Sequence, residues 1–265
     1  MATVQANNIQ IHYEIYGSGS PLIMIMGLGA NMNWWDPRMI QALSPQFKTI
    51  LFDNRGTGQS EISDCEYSIT LFVNDVAGLM DALQIPKAHI LGISMGGMIA
   101  QELVLHHPEK VEKLILCSTY CGSSRGIPPS LDTLGMITGD RTNMTPEDIT
   151  RRTLPALFTK GFLDDNPEFI NLTIQQLMVE QTSEDVLMRQ MNAIIQFDTF
   201  ERLPQISTHT LILHGKRDIL LPPDNAAVMA QAIPNSHLVY FEKSAHGLAE
   251  EMDDVVLIVK KFLAE

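Results

Sequence analysis

Hydrophobic residues along this chain form short continuous runs, with helical patterns between them. The run 22–26 predicts a strand that is covered on both faces of a sheet. Residues 48–52 and 88–93 predict two further buried strands, and residues 111–117 predict the next strand. Before the third run, apolar residues recur at helical spacing over 70–83, which predicts a crossover helix. This alternation is typical of the α/β class, with a mostly parallel central sheet flanked by helices.

The N-terminal residues show a different pattern. Residues 3–5 and 9–16 predict two short strands joined by a turn at 6–8. In the second strand, apolar and polar residues alternate from Ile9 to Ile15. We therefore expect a hairpin with one face in solvent.

The alternation of strands and helices stops after residue 121. From there to residue 204 no convincing strand pattern is present, and three stretches predict helices: 146–158, 167–180 and 183–197. A helical insertion in a parallel sheet is expected to lie over the strand ends, where open α/β sheets bind ligands. We therefore expect a core of residues 1–121 and 205–265, with a helical cap of residues 122–204.

Strand and helix patterns resume after the insertion. Residues 210–213 and 237–241 predict strands, and residues 224–232 and 253–264 predict helices. The last part of the chain is therefore expected to extend the same sheet.

Composition narrows the class of protein. With 265 residues, 45% hydrophobic and 18% charged, the chain suits one large α/β domain or a core plus an insertion. Its formal net charge of −13 argues against nucleic acid and anionic membrane partners, which would repel it. Three cysteines, an odd number without metal spacing, suit a reducing compartment. No basic leader and no apolar run of ~20 residues is present, so we expect a cytoplasmic protein.

One serine occupies the junction between the predicted strand 88–93 and the helix after it. Ser94 has glycines two positions before and after it, Gly92 and Gly96, which allow strand and helix to approach closely. The hydroxyl would then project above the sheet edge, and the unpaired N–H groups of the helix N-terminus would face an anion forming there. This geometry suits acyl transfer, and a glycine-rich turn with a capping serine is the structural alternative.

A serine hydroxyl becomes a strong nucleophile when a histidine takes its proton and a carboxylate orients that histidine. His246 follows the last predicted strand, and Asp218 follows the strand before it. Both therefore leave the same sheet edge as Ser94, in the chain order serine, aspartate, histidine. His214 lies near this edge too, and its position makes it a structural neighbour rather than the base.

Two backbone N–H groups are needed to stabilise an oxyanion beside Ser94. Met95, the residue after the nucleophile, would supply one, and Leu28, in the loop after an earlier strand, would supply the other. Four further residues are candidates for the substrate-binding pocket: Met26, Gly27, Met32 and Trp34. Core packing is the competing role for the methionines, of which the chain has 15.

These residues resemble the α/β-hydrolase fold superfamily over essentially the whole chain. The matching motifs are Met26-Gly27-Leu28-Gly29, Asp53-Asn54-Arg55-Gly56-Thr57-Gly58-Gln59-Ser60, Gly92-Ile93-Ser94-Met95-Gly96-Gly97, Gly215-Lys216-Arg217-Asp218 and Ser244-Ala245-His246-Gly247. The chain looks most like the esterase and lactonase branch that includes 3-oxoadipate enol-lactonase-like proteins and acyl-homoserine lactonases. One position departs from that branch, where the residue before Gly27 is commonly histidine. It is Met26 here, which makes the predicted acyl pocket less polar.

The resemblance implies a serine hydrolase that cleaves carboxylic esters or lactones through an acyl-enzyme. Serine at position 94 disfavours dehalogenases and epoxide hydrolases, which use an aspartate nucleophile on this fold. Three alternatives stay open: a carbon–carbon bond hydrolase, a cofactor-free perhydrolase and a ligand-binding receptor of the same fold.

No cofactor or metal is expected, because the sequence has neither a dinucleotide-binding loop nor metal-ligand spacing. The expected partner is a small-molecule ester or lactone, and the oligomeric state is not indicated.

Overall fold

The structure, a computed structural model, describes residues 2–177 and 182–265, and these residues form one eight-stranded sheet. The strands are β1 (Ala2–Ala6), β2 (Ile9–Tyr16), β3 (Ser20–Ile25), β4 (Phe47–Phe52), β5 (Ala88–Ile93), β6 (Val111–Cys117), β7 (Thr210–Gly215) and β8 (Ser236–Phe241). Their order across the sheet is β1-β2-β4-β3-β5-β6-β7-β8. β1 pairs antiparallel with β2, and β2 with β4, whereas all other pairs are parallel. The predicted α/β class with a mostly parallel sheet is confirmed.

Helices flank this sheet and fill the segment between β6 and β7. They are α1 (Pro37–Leu43), α2 (Ile69–Ala82), α3 (Met95–His106), α4 (Leu131–Thr138), α5 (Pro146–Leu157), α6 (Lys160–Asp165), α7 (Pro167–Leu177), α8 (Glu184–Ile195), α9 (Asp224–Ala232) and α10 (Met252–Ala264). The predicted helix 167–180 corresponds to α7, and residues 178–180 lie outside the described residues.

Two helices were missed by the sequence patterns, and both lack a buried apolar stripe. In α4 only Thr133 is buried, and Leu131 is 85% exposed. α6 has six residues, fewer than two turns, so its apolar positions cannot repeat at helical spacing.

The central strand β3 explains why its sequence is continuously apolar. Ile23 and Ile25 belong to the hydrophobic cluster that includes Phe72 of α2. Leu22 and Met24 face the other side, in the cluster built with α1 and α10. Because successive side chains of a strand point to opposite faces, a strand covered on both sides needs no polar positions.

The N-terminal hairpin forms as predicted, but its alternation of buried and exposed residues does not hold throughout. His12, expected on the solvent face, is buried, and Ile15 is 40% exposed. The reason is a polar contact, because His12 Nδ1 lies 2.9 Å from Asp53 Oδ2 inside the protein. A buried histidine that is hydrogen-bonded through Nδ1 therefore replaces the expected exposed polar residue.

Parallel pairing brings several strand ends to one edge of the sheet. Cys117 pairs with both Ile93 and Leu213, so β5 and β6 end level with each other, and β7 extends two residues further at the same edge. Gly215 pairs with Phe241, which brings the end of β8 to the same edge. The loops that follow β5, β7 and β8 carry the residues singled out in the sequence.

The helices between β6 and β7 have a small hydrophobic cluster of their own. Leu154, Ile170 and Ile174 are buried together, with Phe158 and Phe169 packed against them.

Within residues 2–177 and 182–265, every helix is too short or too polar to cross a lipid bilayer.

Candidate active site

Ser94 sits in a strained turn between β5 and α3. Its backbone has φ 56° and ψ −122°, a conformation that residues with side chains rarely adopt. Small neighbours make the turn possible, since a Cβ on Gly96 would lie 2.0 Å from the carbonyl oxygen of Ile25. Such strain costs about 1–3 kcal/mol and is concentrated at functional sites. The local geometry therefore singles out Ser94 as a candidate functional residue.

His246 and Asp218 form a buried hydrogen-bonded pair. His246 Nδ1 lies 2.8 Å from Asp218 Oδ2, and both side chains are almost completely buried. The other oxygen of Asp218, Oδ1, accepts hydrogen bonds from the backbone N–H groups of Leu220 (2.9 Å) and Leu221 (2.8 Å). The carboxylate is therefore held on both oxygens, and it holds the imidazole in turn.

Asp218 is ionised at neutral pH in spite of its burial. Burial by itself would raise the pKa of this carboxyl, but the nearby charge of His246 and hydrogen bonds from His214 and His246 outweigh it. The net result is a pKa lowered from 3.8 to about 2. A permanent carboxylate at this position keeps the Nδ1 proton of His246 fixed, which leaves Nε2 free to accept a proton.

The loop after β3 passes beside the Ser94 side chain. A Cβ built on Gly27 would lie 3.0 Å from the Cβ of Ser94 and 3.5 Å from its Oγ. A residue with a side chain at position 27 would therefore press on the serine. Leu28 follows in this loop, and Met95 is the first residue of α3, so its N–H belongs to the helix N-terminus.

Three hydrogen bonds hold this loop in place. Asn54 Nδ2 donates to the carbonyl of Met26 (2.9 Å), and the Gly29 N–H donates to Gln190 Oε1 (2.8 Å). Thr182 Oγ1 donates to the carbonyl of Gly29 (2.8 Å). The last two contacts come from α8 and the residues before it, so the segment between β6 and β7 takes part in fixing the loop.

The roles of Asn54, Thr182 and Gln190 were not predicted from the sequence. Gln190 lies 161 positions from Gly29 along the chain, and no local pattern joins the two. The available signal was a glutamine in a helix with apolar spacing, and this side chain is fully buried in the structure.

A cavity of about 500 Å³ adjoins the serine turn. Ser94 and His246 both line it, as do four of the residues predicted around them: Met26, Gly27, Leu28 and Trp34. Most of its other lining residues are aliphatic or aromatic, and they come from both the sheet edge and helices α4, α5, α7 and α8. Burial raises the pKa of two ionisable lining residues, Cys117 and Tyr120, to about 12, so both are neutral at pH 7.

Met32 lies elsewhere, in contrast to its predicted position in the pocket. It is not among the described residues that line the cavity of Ser94; instead it packs in the core and borders a second cavity with Trp35. Met32 begins a short 3₁₀ turn, Met32–Trp34, in which its backbone N–H donates to Asp53 Oδ1 at 2.8 Å. Its side chain is buried in the hydrophobic cluster shared with α1 and α10, where the loss of contact with water stabilises it.

The described residues contain no group of three histidine, cysteine or acidic side chains that could hold a metal ion. His214 is buried next to Asp218, and its Nε2 lies 2.8 Å from the carbonyl oxygen of Leu221. It is not among the described residues that line the cavity, whereas His246 is.

A parallel sheet whose ends carry a serine turn and a buried histidine–aspartate pair defines the class of α/β hydrolases. The chain belongs to the α/β hydrolase fold family, whose sequence profile matches residues 20–252. Its relatives include proteins named enol-lactonase and carbamate hydrolase, and the chain is an α/β-hydrolase enzyme.

Three similar proteins illustrate the branch. 3-Oxoadipate enol-lactonase 2 of Acinetobacter baylyi is 28% identical over 244 residues, covering 91% of this chain and 88% of that protein. A protein of Azorhizobium caulinodans provisionally named carbamate hydrolase RutD is 26% identical over 255 residues, covering 96% and 95%. The crystal structure of the enol-lactonase from Burkholderia xenovorans LB400 matches with a TM-score of 0.87 at 27% identity, covering 100% of both chains. The resemblance to the esterase and lactonase branch is confirmed.

Proposed function

We propose that this enzyme cleaves carboxylic esters or lactones through an acyl-enzyme formed on Ser94. The observation that carries the proposal is the 2.8 Å contact between His246 Nδ1 and Asp218 Oδ2, at a cavity lined by both His246 and Ser94. Support also comes from relatives named enol-lactonase. An oriented imidazole that lines the same cavity as a strained serine fits the arrangement that nucleophilic acyl transfer requires.

In the proposed reaction, Ser94 Oγ attacks the acyl carbon while His246 Nε2 takes its proton. The backbone N–H groups of Leu28 and Met95 stabilise the oxyanion that forms. His246 then gives its proton to the leaving oxygen, and the acyl group stays bonded to Ser94. In the second half, His246 removes a proton from the water that attacks the acyl-enzyme. It then returns this proton to Ser94 Oγ as the bond to the acyl carbon breaks and the acid leaves. Asp218 orients His246 and stabilises its charged form throughout.

The segment 122–204 acts as a cap in this proposal. Its helices contribute lining residues to the cavity and, through Gln190, a contact to the loop of Leu28. The cap therefore contributes to the substrate pocket, while residues 1–121 and 205–265 carry the reacting groups. A cytoplasmic location stays a prediction from composition.

The test is hydrolysis of p-nitrophenyl butyrate by the wild type, Ser94→Ala and a matched serine control. Ser207→Ala is the control, since Ser207 is exposed and lies in the loop before β7, outside the described cavity lining. Ser94→Ala is expected to lose at least about 1000-fold in kcat, and Ser207→Ala to match the wild type. Pre-steady-state release of p-nitrophenol should show a burst in the wild type.

Two further results distinguish the alternatives. Labelling by an organophosphate should add mass to a peptide that contains Ser94, and mutation to alanine should abolish it. Retained turnover in Ser94→Ala would overturn the proposal, as would a single product per protein molecule with tight ligand binding, the behaviour of a receptor. Preference for a vinylogous diketone over every ester tested would point to carbon–carbon bond hydrolysis instead.

A further inference from the structure

The cavity beside Ser94 carries almost no charge. None of the described residues that line it is a lysine or an arginine, and its one acidic lining residue outside the His246 pair is Asp36. Asp36 is already neutralised, because Arg38 Nη2 lies 2.8 Å from its Oδ2. Uncharged polar groups are few and include Asn33, Thr153 and Thr173.

Four arginines of the segment 122–204 are engaged by groups outside the described cavity lining. Arg152 donates to the carbonyls of Asp140 (2.7 Å) and Gly139 (2.9 Å), and Arg151 pairs with Glu147 (2.7 Å). Arg189 pairs with Asp185 at 2.9 Å and donates to the carbonyl of Ser63 at 3.0 Å. Arg202 is bound to Glu102. These arginines are therefore held in position by other partners, not directed at a ligand.

The opening of the cavity is apolar as well. Leu131 and Ile195 both line the cavity, yet they are 85% and 65% exposed. Large aliphatic side chains that border a cavity and also face solvent mark its entrance. A substrate that enters here loses water against hydrocarbon, which favours apolar groups and penalises charged ones.

We propose that the substrates of this site are uncharged esters or lactones with apolar substituents, and that the site does not accept an ester that carries a free carboxylate. This inference rests on the proposed function and makes it specific. An anionic group in the cavity would find no cationic partner, and the net charge of −13 would repel it during approach. An apolar chain would fill the cavity with favourable contacts.

The first test uses two esters that differ by a single methyl group: mono-p-nitrophenyl adipate, a carboxylate at about pH 7, and its neutral methyl ester. The neutral ester is expected to have a kcat/KM higher by roughly 100-fold or more. Along the series of p-nitrophenyl acetate, butyrate and hexanoate, kcat/KM should rise about fourfold for each methylene that enters the cavity. Equal rates for the charged and neutral adipates would overturn the inference.

A pair of variants tests the same idea by gain of function. Thr173→Arg adds a cation to α7 where it lines the cavity, and Asn171→Arg adds one to the exposed face of the same helix. Thr173→Arg is expected to shift the ratio of the two adipates towards the charged one by at least about tenfold, while Asn171→Arg keeps the wild-type ratio. The same shift in both variants would contradict a role for the cavity charge.

The two proposals fail in different ways. If turnover depends on Ser94 but the charged adipate is preferred, the enzyme is a serine hydrolase and the substrate class is wrong. If turnover of every ester persists in Ser94→Ala, the proposed function itself is wrong.

Discussion

His214 Nε2 lies 3.2 Å from Asp218 Oδ2, so the carboxylate that contacts His246 is shared by a second, fully buried histidine. His214 Nε2 also lies 2.8 Å from the carbonyl oxygen of Leu221. Because a carbonyl and a carboxylate only accept hydrogen bonds, the proton of His214 must be on Nε2. Asp218 is therefore stabilised by donors from both rings and from two backbone N–H groups.

Removing His214 is expected to weaken the orientation of Asp218. A hydrogen bond to a charged group contributes about 1.5–3 kcal/mol, so His214→Phe should lower kcat about tenfold or more with the fold retained. His214→Gln keeps a donor near the same place and should retain more activity than the phenylalanine variant. The measurement is kcat of both variants with a neutral ester, and circular dichroism checks that each variant is folded. Equal activity in both variants would show that the donor has no role.

Gln190 links the cap to the loop that carries Leu28. Its Oε1 accepts from the Gly29 N–H at 2.8 Å, and the Gln190 side chain that supplies this acceptor is fully buried. Gln190→Met should leave this N–H unpaired and lower kcat by about tenfold, with a smaller change in KM. Asn192→Ala, on the exposed side of the same helix, is the control and should behave like the wild type. A Gln190→Met enzyme with unchanged kcat would mean that the loop holds its geometry without α8.

Gly27 controls the space around the nucleophile. Its backbone lies outside the left-handed region, so alanine fits the local conformation, but the added Cβ would lie 3.0 Å from Ser94 Cβ. Gly27→Ala should therefore lower kcat/KM by about 100-fold, the scale of a small displacement of a reacting group, while the protein stays folded. Gly161→Ala in α6 is the matched control, because nothing lies within 4 Å of its new methyl group. That variant should keep full activity and gain about 0.5–1 kcal/mol of stability, measured by urea unfolding.

Acid is expected to remove the stability that Asp218 contributes. The pKa of Asp218 is lowered from 3.8 to about 2 in the folded protein, so its contribution is fully present above the unfolded value. It is lost as the pH falls from about 4 to about 2, and amounts to about 2 kcal/mol. Urea unfolding of wild type and Asp218→Asn between about pH 6 and pH 2.5 measures it. The stability difference between the two proteins should shrink as the pH falls, and a constant difference would contradict the lowered pKa.

The order of the strands and of most helices could be predicted from sequence because these elements leave a local signal, which α4 and α6 lack. Continuous apolar runs marked β3, β5 and β6, and helical spacing marked α2. The serine turn could also be predicted from sequence, because Gly92 and Gly96 allow the close approach of strand and helix that the turn requires. The carboxyl ends of parallel strands share an edge, so chain order alone also predicted that Asp218 and His246 would lie near Ser94.

Contacts between distant segments were decided only by the tertiary structure. Gln190 meets Gly29 across 161 positions, and His214 shares the carboxylate of Asp218 through the packing of β7 against its own loop. The Met32 side chain packs into the hydrophobic core instead of the pocket, although its sequence position beside the loop suggested otherwise. The absence of cations from the described cavity lining is likewise a tertiary result. Local patterns record which face of an element is apolar, whereas the partner that a buried polar group finds depends on how separate elements pack.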